Sequence, residues 1–102
     1  MSREPFASVI EALAPEPEVT TARMFGSDAL KYDGKVFAMS FKGRLVVKLD
    51  ADRVGAILAS GVGEPFDPGH GRVMREWVAV PERRDVDWLE LASEALLTAR
   101  NR

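Results

Sequence analysis

The single histidine of the chain lies in a glycine-rich segment, Asp67-Pro68-Gly69-His70-Gly71-Arg72. Glycines allow backbone amides to converge on an anion, and an arginine adds a charge-assisted hydrogen bond. An imidazole titrates near neutral pH and can act as an acid or a base. The sequence therefore offers a candidate anion-binding loop made of Gly69, His70, Gly71 and Arg72. The segment matches neither the phosphate-loop motif nor the dinucleotide-binding glycine motif, so a wide turn between a helix and a strand is the simpler interpretation.

Other catalytic chemistry has few side chains to use. The chain has no cysteine, which excludes a thiolate nucleophile, a disulfide framework and a cysteine-based zinc site. One histidine cannot build a histidine-rich metal site. Ser27, Ser40 and Ser60 lack the G-x-S-x-G motif and a second histidine to activate them. Carboxylate pairs could do acid–base work, but nothing marks one pair over another. We expect no catalytic residue, no metal and no cofactor, and a protein that works by binding; the alternative is an enzyme or small-anion binder at Gly69 to Arg72.

Three cations, Lys31, Arg44 and Lys48, form a candidate binding surface. Residues 23–53 hold seven basic and four acidic side chains, although the whole chain carries a net charge of -2. A cationic sheet face is typical of nucleic-acid contact, but single-strand binders add exposed aromatic rings that stack on bases. Here only Tyr32 lies near the edge of the expected surface. A nucleic-acid contact and an ordinary solvated face both stay open.

These cations are expected to surround a small apolar patch formed by Ala29, Val36, Ala38 and Val46. A flat patch of small residues is suited to coverage by a helix or to isologous packing of a second subunit. Binding to a protein partner, with a homodimer as one form, is therefore the main functional hypothesis.

The sheet is predicted from alternating strands and tight turns. Residues 19–25 are rich in β-branched and aromatic side chains and predict a strand that Gly26 ends. Asp33-Gly34 predicts a two-residue type I′ turn that pairs Tyr32 with Lys35. The same register pairs Leu30 with Phe37 and Ala29 with Ala38.

The next turn has two solutions. A two-residue turn at Lys42-Gly43 would place Phe37 and Lys48 on one face, whereas a three-residue turn beginning at Phe41 pairs Met39 with Leu45 and Phe37 with Val47. Because a one-residue change of register moves every side chain to the opposite face, burial favours the three-residue turn. One face then carries a core, and the other carries the small and cationic residues. The expected core face comprises Leu30, Phe37, Met39, Leu45 and Val47; the opposite face comprises Ala29, Lys31, Val36, Ala38, Ser40, Arg44, Val46 and Lys48.

Helices are predicted on either side of these strands. Apolar residues recur at helical spacing in residues 3–13, and Asp50 should cap a short helix that Gly61 ends. Residues 61–71 predict a loop, residues 73–80 a strand, and Asp85 or Asp87 the start of a last helix. The inward stripe of that helix is expected to comprise Trp88, Leu91, Ala92, Ala95 and Ala99.

These elements predict one α+β domain over residues 1–102, an antiparallel meander with flanking helices at the N-terminus, in the middle and at the C-terminus. The length fits a single domain. No N-terminal apolar segment and no run near the ~18 apolar residues of a membrane span is present, so no membrane association and a cytoplasmic location are expected.

The chain resembles the TfoX (Sxy) N-terminal domain family over about residues 6–99. The resemblance rests on Arg23-Met24-Phe25-Gly26, on Asp33 to Ala38 and on Leu45 to Leu49. It continues through Gly63-Glu64-Pro65-Phe66, Gly69 to Arg72, and the residues Met74, Trp77 and Val80-Pro81.

The resemblance implies an α+β fold and a link to bacterial regulators of competence for DNA uptake, which support transcription together with the cyclic-AMP receptor protein. It implies no catalytic or ligand-binding residue. Two features depart from the family pattern: Ser27 stands where many relatives have a second glycine, and full-length regulators carry a further helical domain, whereas this chain stops at Arg102.

Overall fold

The computed structural model of the chain describes residues 5–24, 26–67 and 74–102. In that part the elements are α1 (Pro5–Leu13), β1 (Val19–Met24), β2 (Ser27–Tyr32), β3 (Lys35–Phe41), β4 (Arg44–Lys48), α2 (Ala51–Ser60), β5 (Glu64–Pro65), β6 (Trp77–Pro81) and α3 (Trp88–Arg100). The strands form one sheet in the order β1-β2-β3-β4-β6-β5, with every neighbouring pair antiparallel. The predicted α+β fold, with a meander and helices at both ends and in the middle, is confirmed.

The helices lie on one side of the sheet, which we call the helix face. The last helix, α3, packs across β2, β3 and β4 and also against α1, while α2 packs on β6. Their apolar stripes and the facing strand residues exclude water and form the main core. Its largest fully buried members are Phe6, Phe37, Leu30, Leu45, Leu49, Val9, Val47, Val78 and Val80.

The start of α3 is fixed by Asp87, one of the two predicted caps. Its carboxylate accepts hydrogen bonds from the backbone N–H of Leu89 (2.9 Å) and of Glu90 (3.3 Å), which have no partner inside the helix. Four predicted stripe residues are buried and Ala99 packs at the margin of the core. The stripe also includes Leu96, which the prediction missed.

The other predicted cap, Asp50, behaves differently. It occupies the N-cap position of α2 with extended backbone, but its side chain makes no cap hydrogen bond. Its carboxylate instead accepts a 2.8 Å hydrogen bond from Arg102. The predicted end of α2 is confirmed, because Gly61 adopts the left-handed conformation (φ 80°) there.

The expected three-residue turn after β3 is wrong. Lys42 (φ 51°) and Gly43 (φ 78°) form a two-residue turn that pairs Phe41 with Arg44 and Met39 with Val46. Positive φ at both central residues is the type I′ pattern, whose twist matches the twist of the flanking strands.

With regular pairing, a two-residue turn would place Phe37 and Lys48 on the same face. A β-bulge in β3 avoids this outcome. The Asp33-Gly34 hairpin begins as predicted, with Tyr32 opposite Lys35, but its register shifts beyond Lys31. Leu30 then pairs with Ala38 and Ala29 with Met39, rather than with Phe37 and Ala38 as predicted. The extra residue is Phe37, and both Phe37 and Ala38 face the main core. Phe37 can therefore point inward although Lys48, across the turn, points outward.

The bulge also exchanges residues between the two faces. Ser40, expected outside, is buried opposite Leu45 of the core face, and Ala38 is completely buried there. Met39, expected in the main core, lies on the opposite side, which we call the outer face. The predicted positions of Leu30, Phe37, Leu45 and Val47 are correct.

The segment expected to be a loop contains a short edge strand. Glu64 and Pro65 pair with Ala79 and Val78 of β6. The strand predicted over residues 73–80 begins only at Trp77, and residue 73 lies outside the described residues. After β5, Phe66 covers the outer face and is only 3% exposed.

Candidate binding surfaces of the sheet

The three predicted cations all lie on the outer face. Lys31 is paired with Val36, and Arg44 with Phe41. Lys48 is paired with Trp77. Val36, Phe41 and Trp77 all pack against the apolar cluster of this face, so the cations beside them surround that cluster.

The structure does not bring the three cations together. Arg44 lies at the opposite end of β4 from Lys48, and four residues of strand span about 13 Å. The Arg44 guanidinium also forms an ion pair with Glu64 at 2.5 Å. The Lys31 side chain forms no hydrogen bond or ion pair with any described residue. Lys31 and Lys48 therefore form one cationic end of the face, and Arg44 belongs to an internally neutralised end.

The cationic end adjoins a cleft of about 360 Å³ at the end of α3. Its charged walls include Lys35, Lys48, Arg100 and Arg102, with Asp33 at the hairpin turn. The remaining lining residues are Tyr32, Val36, Phe37, Thr98 and Ala99.

Most of the positive charge in this cleft is already compensated. Arg100 stands over the Tyr32 ring at 5.8 Å and pairs with Glu16 at 3.0 Å. Arg102 pairs with Asp50 at 2.8 Å and Glu76 at 2.7 Å. The hydrogen bond to Asp50 raises the pKa of Arg102, with desolvation acting in the opposite direction. The cleft can hold an anion mainly through Lys35 and Lys48.

The apolar centre of the outer face is covered by the chain itself. Phe66 lies over Ala29, Met39, Val46 and Ala79, all of which are buried. Its ring meets Phe41 edge-on at 5.6 Å between centroids and lies 6.2 Å from Trp77. The sequence left open whether a helix or a second subunit covers this apolar patch. Because Phe66 covers it, neither is needed.

The candidate anion loop, Gly69, His70, Gly71 and Arg72, lies outside the described residues. Within residues 5–24, 26–67 and 74–102, no group of three or more acidic or histidine side chains is placed to hold a metal ion. No helix in those ranges is both long and apolar enough to cross a membrane.

A further surface, the free edge of β1, was missed by sequence reasoning. Backbone groups in an antiparallel pair point alternately toward and away from the partner strand. The N–H of Asp33 donates to the carbonyl of Glu18 at 3.0 Å, so the alternation turns Thr20 and Ala22 toward β2. Val19, Thr21 and Arg23 turn their backbone groups outward.

These outward groups are largely unsatisfied in the described part of the chain. The Val19 N–H donates to Glu16 at 3.2 Å, but no described residue pairs with the N–H of Thr21 or of Arg23. The Thr21 side chain is exposed. The strand pattern was visible in the sequence, but its place at the edge follows from the strand order, which the pattern does not encode.

The two edges of the sheet differ strongly. β1 has six residues, contains no proline and has Arg23 as its one charged residue. The Arg23 guanidinium folds back to Asp28 (3.2 Å) and to the Gly26 carbonyl (2.8 Å). β5 has two residues, one of them Pro65, which has no N–H to donate. Long edges without proline or inward charge are ready to pair with another strand, whereas short proline-containing edges are protected.

Comparison with protein-family models identifies the family of the chain. The model of the TfoX N-terminal domain matches residues 11–99 of the 102-residue chain, from the end of α1 almost to the end of α3. No curated protein matches the chain. With the match covering all the described strands, the chain belongs to the TfoX N-terminal domain family.

Proposed function

We propose that this chain is a non-enzymatic regulatory module of the TfoX type, which acts by pairing the free edge of β1 with a protein chain. The proposal also includes a cytoplasmic location and a role in transcriptional regulation linked to competence. The observation that carries it is the outward backbone of Thr21 and Arg23 in a six-residue edge strand, which no residue in the described part of the chain pairs with.

Strand addition is the binding mode that this edge supports best. An extended segment placed beside β1 would satisfy the outward N–H and C=O groups, and main-chain hydrogen bonds would supply affinity. Val19 and Thr21 lie on the helix-face side of the strand and Thr20 and Ala22 on the outer side, so small side chains border the new contact. None of the side chains of Val19, Thr20, Thr21 and Ala22 is long enough to block an approaching strand.

The choice of binding over catalysis rests on the sequence. A single histidine and the lack of cysteine exclude the commonest nucleophile and base pairs, and the sequence pattern marks out no pair among the sixteen carboxylates for acid–base work. The regulatory part of the proposal rests on membership in the TfoX N-terminal domain family.

The proposal is tested by cross-linking the tagged chain in its native host and identifying the captured proteins by mass spectrometry. Thr21→Pro removes the outward N–H at a position where an edge strand tolerates proline, while Thr21→Ala keeps it. We expect the chain and Thr21→Ala to capture the same protein, and Thr21→Pro to lose at least nine-tenths of it. Equal capture by both variants, or recovery of neither another protein nor a second copy, would contradict the proposal.

Nucleic-acid binding is a second candidate, favoured by Lys31 and Lys48 at one end of the outer face: the Lys31 side chain has no ion-pair partner among the described residues, and Lys48 lines the cleft with Lys35. Its signature is an affinity that falls as salt rises. The combined change of Lys31 and Lys48 to glutamine should weaken binding at least tenfold and reduce the salt dependence. Arg44→Gln is the matched control, because Arg44 is already paired with Glu64 and should matter less. No binding of single- or double-stranded nucleic acid at low salt would remove this candidate.

A further inference from the structure

We infer that the protein chain that occupies the β1 edge is a second copy of this chain, paired antiparallel about a two-fold axis at Thr21. The inference rests on the proposed function, because it names the partner at the same edge. It would join the two sheets into one continuous sheet with a β1–β1 contact at its centre.

The direction of the backbone groups limits the register. Only Val19, Thr21 and Arg23 present outward groups, so hydrogen-bonded pairs across the contact must be drawn from these residues. With Thr21 opposite the partner's Thr21, the two residues exchange reciprocal hydrogen bonds. Each Arg23 N–H then meets the Val19 carbonyl of the partner subunit. The Val19 N–H already donates to Glu16, so the reciprocal bond to the Arg23 carbonyl of the partner subunit is not made and the contact has four main-chain hydrogen bonds.

Charge favours this self-pairing over an arbitrary strand. Glu16 and Glu18 precede β1, and Arg23 lies near its other end. Antiparallel pairing places the basic end of each copy beside the acidic end of the other. Glu18 is exposed and forms no ion pair with any described residue. The Arg23 guanidinium already contacts Asp28 at 3.2 Å, but both side chains of that pair are largely exposed, so Arg23 can also attract the incoming Glu18 carboxylate.

The neighbouring registers are worse. A shift toward the β1–β2 turn sets Thr21 opposite the partner's Arg23 and brings the two guanidinium groups into diagonal contact, a like-charge arrangement. A shift the other way runs into Glu18, whose positive φ of 64° ends the strand, and Pro17, which has no N–H. The register centred on Thr21 also sets two threonines face to face, a favourable cross-strand pair.

The first test measures molecular mass against concentration by analytical ultracentrifugation. We expect a dimer that Thr21→Ala retains and that Thr21→Pro weakens at least tenfold in dissociation constant. A chain that is monomeric up to millimolar concentration would overturn the inference. If such a monomer still captured another protein through β1, the proposed function would survive and only the second copy would be excluded.

The second test fixes the register and does not depend on the proline variant folding. The chain has no cysteine, so a single introduced thiol reports on its own position. Opposing residues of a hydrogen-bonded antiparallel pair lie about 5.5 Å apart at Cα, within disulfide reach. Thr21→Cys should cross-link to a dimer under mild oxidation.

Arg23→Cys is the matched control for that register. Its two copies would be separated by four residues along the strand direction, about 13 Å, which a disulfide cannot span. Cross-linking at position 23 in preference to position 21, or a dimer in which neither position cross-links and Thr21→Pro has no effect, would place the contact elsewhere and overturn the inference.

Discussion

The two faces of the sheet are buried by different means. Three helices cover the helix face and enclose a core that includes residues from α1, α2, α3 and strands β1 to β4 and β6. The outer face is covered at its centre by the ring of Phe66, which follows the two-residue strand β5. The helix face is therefore the main source of stability, while the outer face has a smaller apolar centre with cations at its margin.

The largest loss of stability is expected for a substitution at Phe37, on the helix face. This bulge residue is 1% exposed, and Phe37→Ala would leave a cavity that the surrounding structure fills only in part. We expect a loss of about 3–5 kcal/mol in the free energy of unfolding. Urea denaturation measures the loss, and Phe37→Leu, which keeps most of the volume, should cost much less. A loss below about 1 kcal/mol would show that the bulge does not seat Phe37 in the core.

Removal of the Phe66 ring should cost less, about 3 kcal/mol or below, because a shallow site open at its rim can relax or admit water. The distinctive result of Phe66→Ala is local. Met39, 3% exposed beneath the ring, should become accessible and oxidise to the sulfoxide faster with peroxide. Phe41→Ala is the control, because it removes a half-buried ring beside Phe66 and leaves Phe66 itself in place. An unchanged rate of Met39 oxidation in Phe66→Ala would contradict the role of Phe66 as the cover.

The sequence predicted the elements of both faces better than their register. Asp33-Gly34, the left-handed Gly61 and the cap Asp87 are local signals, and each was read correctly because the conformation depends on a few neighbouring residues. The bulge at Phe37 has no such signal. The bulge allows both two-residue turns to form while Phe37 stays buried. It becomes visible only when the pairing of β2 with β3 and the pairing of β3 with β4 are considered together.

Long-range placement explains the missed surfaces. Phe66 follows a glycine- and proline-containing segment that predicted only a loop, and its position over Met39 depends on the pairing of β5 with β6. Likewise, the sequence placed Lys31, Arg44 and Lys48 on one face correctly. It could not show that Glu64 neutralises Arg44, because the two residues are brought together by the path of the chain from α2 to β5.

Gly63 lies in this segment, where the chain passes from the helix face to the edge of the sheet. A Cβ atom at Gly63 would lie 2.6 Å from Cγ2 of Val78 and 2.8 Å from Cγ2 of Ile57, both members of the main core. Because such contacts force the packed side chains to shift, Gly63→Ala should destabilise the protein by about 1–3 kcal/mol. Thermal denaturation measures the effect. A neutral result would mean that the crossing is not tightly packed.

The smallest expected change in stability is a gain, for alanine at Gly55. It is the control for Gly63→Ala, because it separates the effect of steric contact from the effect of replacing a glycine. Gly55 lies on the exposed side of α2, and a Cβ atom there would meet nothing within 4 Å. Alanine restricts the unfolded chain and favours helix, so Gly55→Ala should stabilise the protein by about 0.5–1 kcal/mol. The same thermal denaturation measures both variants. If Gly55→Ala also destabilised the protein, the cost at Gly63 could not be assigned to contact with Val78 and Ile57, and α2 would have to pack on a surface that the described residues leave open.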